Sequence, residues 1–104
     1  MSAKKFQVFD PEVSAAAGDV RVTLMGRHEI HYVVSARVLI FGREPLFEGE
    51  DAVAYEVSLP RDWRWEPPHD TEMIAPDLRT AILADVRAAL AELGRRAVFP
   101  GEPF

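Results

Sequence analysis

The central part of the chain alternates between hydrophobic and polar residues with a period of two. The alternating or apolar stretches are residues 19–25, 29–35, 37–41 and 53–59. Successive side chains of a strand point to opposite faces, so this pattern predicts four strands with one packed face and one wetter face. Gly26-Arg27 separates the first two strands, and the turn-forming composition of Gly42-Arg43-Glu44-Pro45 is expected to end the third. Glu48-Gly49-Glu50-Asp51 is the predicted turn before the fourth.

A different period follows near the C-terminus. The apolar residues that recur there at steps of four and three are Leu78, Ile82, Val86, Leu90 and Leu93. This spacing predicts an amphipathic helix of about 18 residues with a single apolar stripe. Pro76 suits the first helical position, and Asp77 complements the positive end of the helix dipole. Gly94 is expected to end the helix in the left-handed conformation.

These elements predict an α+β fold, an antiparallel β-meander of about four to five strands with one long C-terminal helix packed on one face. Residues 95–99 are the candidate fifth strand. We expect residues 1–18 to form a loosely ordered N-terminal segment, with a possible short strand at Phe6 to Phe9. Residues 19–99 would form a single α+β domain, and residues 100–104 a tail.

Composition narrows the classes of protein. A chain of 104 residues that is 48% hydrophobic can bury one core. It contains no run near the ~20 apolar residues of a membrane span and no signal-peptide pattern, so we expect a cytoplasmic protein with no membrane contact. The absence of cysteine excludes disulfides, zinc-thiolate sites and thiol catalysis. We expect no cofactor.

The formal net charge of −5 is unevenly distributed. Residues 43–77 contain ten acidic and three basic residues, a net charge of −7, so the rest of the chain carries +2. Negative charge repels phosphate backbones, which argues against nucleic-acid binding. It is compatible with a partner protein that has a basic surface, and equally with a solvated surface that maintains solubility.

Both tryptophans lie in the segment Trp63-Arg64-Trp65-Glu66-Pro67-Pro68-His69, here called the tryptophan segment. Its large rings at i and i+2 would lie on one side of an extended chain. In a structural interpretation, both rings fill the sheet edge beneath the helix. In a second, one ring is buried and the other forms an exposed protein-binding anchor with neighbouring polar residues. In a third, the rings line a ligand slot. At least one ring should be buried.

Catalytic and metal sites find little support in the sequence. His28 and His31 would point to opposite faces of a strand, so they make a poor metal-binding pair. His69 and Asp70 would meet one of them only if the fold brought them together, and turn or edge positions explain these histidines more simply. No phosphate-binding loop, HExxH or GxSxG motif is present. We therefore expect no catalytic residues, no metal ligands and no enzymatic activity.

The stretch Tyr55-Glu56-Val57-Ser58, the turn Trp65-Glu66-Pro67-Pro68-His69, Ile74 and the helix end Leu93-Gly94 resemble a predicted immunity-protein family of bacterial polymorphic toxin systems, the seventy-fourth in the usual numbering. The similarity covers roughly residues 20 to 99. It implies a small α+β inhibitor that binds a cognate toxin without catalysis or cofactor. Where the resemblance implies a hydroxyl residue at the helix start, this chain has Ala75.

The resulting hypothesis is a non-catalytic protein-binding module, an immunity-type inhibitor of a bacterial toxin with a basic surface. The predicted contact residues are Trp63, Arg64, Glu66 and His69, and those predicted to steer the partner are Glu48, Glu50 and Asp51. One alternative is a small-molecule-binding or hydrolytic domain that uses carboxylates and His69 beside Trp65. It would require a deep pocket lined by Trp65, Tyr55 and His69, whereas a flat acidic surface would favour the binding module. A second alternative is a structural homodimer joined through an exposed strand edge.

Overall fold

A computed structural model describes residues 5–10, 13–48, 51–60 and 62–101, with only the backbone at 47–48 and 51–53. It is a curled mixed sheet of seven strands with one helix near the C-terminus. In chain order the elements are β1 (Gln7–Asp10), β2 (Ser14–Ala17), β3 (Val20–Met25), β4 (Glu29–Val34), β5 (Arg37–Glu48), β6 (Asp51–Ser58), α1 (Pro76–Glu92) and β7 (Arg96–Val98). The α+β class predicted from the sequence is confirmed. The predicted strand number was too low.

The strands follow one another across the sheet in the order β1-β2-β3-β4-β5-β6-β7. Each of the first six pairs antiparallel with its neighbour, as expected for a meander with short turns. The candidate strand at residues 95–99 is confirmed as β7, but it pairs parallel to β6. A parallel neighbour requires a long crossover connection, which the tryptophan segment and α1 provide. The sheet is therefore mixed.

The N-terminal segment that was expected to be loosely attached contains two strands in its described part. β1 matches the possible short strand at Phe6 to Phe9, and β2 covers the small-residue run that begins at Ser14. Phe6, Ser14 and Ala15 are buried. The small side chains of β2 allow α1 to pack closely on this strand.

β5 continues through Gly42-Arg43-Glu44-Pro45, where the sequence was expected to end the strand. The hydrogen bond from Arg43 N to His28 O shows that odd-numbered residues of β5 direct their backbone groups toward β4. The N–H that Pro45 lacks would point away from β6, at a position where β4 has already ended. The hydrogen bonds between β5 and β6 are therefore unaffected. The prediction of a strand end at this position was wrong.

The helix has the predicted termini. Pro76 occupies the first turn after an extended Ala75 that makes no side-chain cap, and Gly94 adopts φ +77°. The hydrogen bonds from Arg95 N to Leu90 O, 2.8 Å, and from Gly94 N to Ala91 O, 3.0 Å, form a Schellman motif. Among the described residues, no helix has the length and hydropathy needed to cross a membrane.

The hydrophobic core lies between α1 and the inner face of the curled sheet. Ile82, Val86 and Leu90 of the predicted stripe are fully buried, whereas Leu78 is exposed. The helix contacts β7 at one edge of the sheet and β1, β2 and β3 on the opposite side. The sheet thus curls far enough for both of its edges to pack against the same helix.

Candidate binding site at the tryptophan segment

The β5–β6 ladder ends immediately before the tryptophan segment, and Pro60 explains why. The register Gly42↔Ser58 places Pro60 opposite Ile40. Even-numbered residues of β5 direct their backbone groups toward β6, so the residue at position 60 would have to donate an N–H to Ile40. Proline has no N–H to donate. The chain leaves the sheet here and returns to it at Glu66, whose N–H donates to Val38 O at 2.8 Å.

The tryptophan segment then folds back on itself toward the helix. Arg64 and Met73 form an antiparallel bridge, and Ile74 N donates to Trp63 O at 3.1 Å. The peptide bond between Pro67 and Pro68 is cis. This loop connects β6 to the start of α1 and fixes where both tryptophan side chains enter the core.

Both rings pack against the core, to different extents. Trp65 is 6% exposed and belongs to the core cluster, so the prediction of at least one buried ring is confirmed. Trp63 is half-buried, with a backbone φ of +48°. Its ring meets Phe41 edge to face, with centroids 6.1 Å apart, and the Arg79 guanidinium lies 5.6 Å from its centroid. The rings therefore join the sheet to the helix.

A cavity of about 410 Å³ lies where the chain leaves the sheet. Its lining residues are Glu29, Leu39, Ile40, Pro60, Asp62, Trp63, Arg64, Trp65, Glu66 and Asp70. The apolar part comes from β5, Pro60 and the two tryptophans, while the charged part comes from β4 and the loop. The lining contains four acidic residues and one arginine, a formal net charge of −3.

Three of the four predicted contact residues line this cavity. They are Trp63, Arg64 and Glu66. The loop that starts at Pro60 and returns to the sheet at Glu66, whose N–H donates to Val38 O, brings them together. Arg64 and Glu66 are exposed, and Arg64 Nη1 donates a long hydrogen bond to Asp70 O at 3.4 Å.

His69 is the predicted contact residue that does not line the cavity. Its Nδ1 lies 3.0 Å from Glu72 Oε2. The Arg37 guanidinium donates to the same carboxylate, from Nη2 at 3.0 Å to Oε1 and 3.2 Å to Oε2. The hydrogen bond from Arg37, followed by that from His69, lowers the pKa of the Glu72 carboxyl below its ordinary value. This cluster fastens the loop to the start of β5.

The predicted steering residues are only partly described. Glu50 lies outside the described residues. Glu48 and Asp51 are described as backbone alone, paired with each other where β5 meets β6. Their part in a contact surface stays a prediction.

Three acidic lining residues were missed as site residues in the sequence. Asp62 and Asp70 flank the tryptophan segment and belong to the acidic stretch, a signal that was present but not used. Glu29 gives no such signal, because it reaches the site through strand register, opposite Gly42.

The histidines are separated: His28 lies in a turn, His69 lies in the loop, and His31 lies in β4, a central strand and not the edge position that was expected. His28 Nδ1 lies 3.5 Å from Glu44 Oε1, and His31 Nε2 lies 2.9 Å from Glu29 Oε1. Within the described ranges, no group of three or more histidine, cysteine or acidic side chains is arranged to hold a metal ion.

Comparisons with protein-family models, with curated proteins and with solved structures find no match to this chain. The resemblance to an immunity-protein family therefore stays a prediction. The candidate site rests on the geometry of the loop and cavity.

Proposed function

We propose that this protein is a non-catalytic protein-binding module that holds a basic partner protein at the cavity beside the tryptophan segment. The observation that carries this proposal is the combination of two tryptophan side chains with four carboxylates and a single guanidinium in one concave surface. Aromatic anchors surrounded by exposed polar residues are typical of protein-binding sites.

The charge of the surface supports a basic partner. The acidic lining residues Asp62, Glu66 and Asp70 are exposed at the rim, where they can attract a positively charged surface before contact. The loop that carries them is attached to β5 at two points, by the hydrogen bond from Glu66 N to Val38 O and by that from Arg37 to the Glu72 carboxylate. Binding would therefore require little ordering of the loop.

In its specific form, the proposal is an immunity-type inhibitor whose partner is a bacterial toxin. The resemblance in the Trp-Glu-Pro-Pro-His turn supports this form, and so does the acidic site, since a toxin that handles nucleic acid often has a basic cleft that an acidic protein can block. No reaction and no cofactor take part in such inhibition.

The small-molecule alternative predicted a deep pocket lined by Trp65, Tyr55 and His69. Trp65 lines the cavity that the structure contains, but Tyr55 and His69 do not. The Tyr55 ring instead lies under the Arg43 guanidinium, 4.8 Å from its centroid. The surface is concave and not the flat acidic one that was expected to favour the binding module, but the lining predicted for the small-molecule pocket is not assembled.

The test is co-expression with the product of the adjacent gene as the candidate toxin, followed by titration of the two purified proteins in a calorimeter. We expect growth to be rescued and a stoichiometric complex to form. If growth is not rescued and no complex forms, the immunity-type form is refuted. If the protein binds a basic protein but does not rescue growth, it is a binding module whose partner is not a toxin.

Charge-reversed variants locate the contact. Asp62→Lys with Glu66→Lys adds four charges, and so does the control pair Glu56→Lys with Glu92→Lys, so both change the net charge from −5 to −1. All four residues are exposed. We expect the first pair to weaken the complex by about tenfold or more and the control pair to leave it nearly unchanged. Equal weakening by both pairs would place the contact elsewhere.

A further inference from the structure

We propose that the cavity binds one arginine side chain of the partner protein as the anchor of the complex. This inference rests on the proposed function and adds the chemistry of the group that is recognised. The cavity volume of about 410 Å³ lies near the lower end of the roughly 300 to 1,000 Å³ typical of ligand sites. That space suits one long side chain better than a folded element.

The cavity carboxylates differ in their pairing within the described part of the chain, where Glu29 Oε1 lies 2.9 Å from His31 Nε2. In the described part of the chain, Asp62, Glu66 and Asp70 form no ion pair, whereas the nearby Glu72 is paired with both Arg37 and His69. A cationic group placed between these exposed carboxylates would donate charge-assisted hydrogen bonds to more than one of them. The site is therefore complementary to a positive group.

The backbone of β5 adds a neutral acceptor. Strand alternation directs the carbonyl of Ile40 to the same side as that of Val38, which accepts the Glu66 N–H. Pro60, opposite Ile40, has no N–H to offer this carbonyl. A donor from a bound side chain can take the place that an ordinary residue at position 60 would occupy in the ladder.

The aromatic lining favours a guanidinium over an ammonium group. A planar guanidinium can stack on an aromatic ring and donate to several oxygens in one plane, while an ammonium is a compact, strongly hydrated charge. Trp63 already has a guanidinium contact within the protein, from Arg79. Trp63 is the ring with exposed surface for a bound guanidinium, because it is half-buried whereas Trp65 is 6% exposed.

The experiment uses N-acetyl-arginine amide as the probe and follows the indole N–H signals of Trp63 and Trp65, the two tryptophans of the chain, by NMR. We expect both signals to shift, with a dissociation constant on the order of millimolar for a single side chain. The neutral isostere N-acetyl-citrulline amide should cause no shift. N-acetyl-lysine amide and free arginine should bind more weakly, the latter because the acidic rim repels its carboxylate.

Variants identify the carboxylates. Asp62→Asn with Glu66→Gln should raise the dissociation constant of the arginine probe by about tenfold, and the control pair Glu56→Gln with Glu92→Gln should not change it. Equal shifts with citrulline, equal or tighter binding of the lysine probe, or no indole shift at tens of millimolar probe would overturn the inference. Tighter binding of free arginine than of the capped probe would overturn the inference, because it would identify the ligand as a small molecule and not as a side chain of a partner protein.

Failure of this inference is distinguishable from failure of the proposed function. A toxin complex that is weakened by the charge-reversed pair, with indole signals that no arginine probe moves, would reject the arginine anchor and retain the protein-binding module. Arginine-probe binding without any protein complex would retain the pocket chemistry and reject the module.

Discussion

Tyr32 and Asp85 form a polar contact inside the core. The Tyr32 hydroxyl donates to Asp85 Oδ2 at 2.8 Å, and the two residues are 3% and 6% exposed. Tyr32→Phe removes this donor and leaves a carboxylate of the helix less well satisfied. Because a hydrogen bond to a charged group contributes about 1.5 to 3 kcal/mol, we expect the free energy of unfolding to fall by that amount in urea titrations. The control is Tyr55→Phe, which removes a phenolic hydroxyl from a ring held by Arg43.

The same tyrosine predicts how stability depends on pH. Burial, followed by the hydrogen bond to Asp85, raises the pKa of Tyr32 above its ordinary value. Below about pH 10 both folded and unfolded chains keep this proton; above it, the unfolded chain loses the proton first. The free energy of unfolding should therefore decrease as pH rises above about 10, and that of the Tyr32→Phe variant should decrease less steeply. Equal slopes in the two proteins, measured by urea unfolding between about pH 9 and 11, would contradict this assignment.

Two prolines show why the elements were only partly predictable from the sequence. Pro45 and Pro60 both suggest a break, yet β5 continues through Pro45 and the ladder stops before Pro60. The difference is whether the missing N–H faces the paired strand, which depends on register. Register is a relation between distant residues, so local composition does not reveal it. The helix depends on local signals, Pro76 and Gly94 among them, and its ends were predicted closely.

The N-terminus of α1 can be improved at a single position. Ala75 has the extended backbone of an N-cap residue but no side-chain oxygen to accept an N–H from the first turn. Ala75→Ser supplies this oxygen, and we expect it to raise the free energy of unfolding by about 1 kcal/mol. The matched control is Ala84→Ser on the exposed middle of the helix, where serine should lower stability by about 0.5 kcal/mol. Two changes of the same sign in thermal or urea unfolding would exclude a capping effect.

At the scale of the whole molecule, the sequence predicts the fold class better than the site. The period of two in the strands and the stripe of α1 indicate an α+β domain, and the charge count draws attention to residues 43–77. The cavity depends on three conditions that no local pattern contains. The chain leaves the sheet at Pro60, it returns where Glu66 N donates to Val38 O, and strand pairing brings Glu29 of β4 beside β5. The curl that brings both sheet edges to the helix is equally non-local.

The connection of sheet to helix through the tryptophan segment leads to the last prediction. Trp65 is 6% exposed within the core cluster, whereas Trp63 is only half-buried. Trp65→Ala should therefore lower the free energy of unfolding by about 3 to 5 kcal/mol, a large part of the roughly 5 to 15 kcal/mol of an ordinary domain, and Trp63→Ala should lower it by less. Urea unfolding followed by circular dichroism measures both, and Trp65→Phe provides a milder change if the alanine variant does not fold. A larger loss at Trp63 would mean that its contacts with Phe41 and Arg79, and not the burial of Trp65, hold the helix against the sheet.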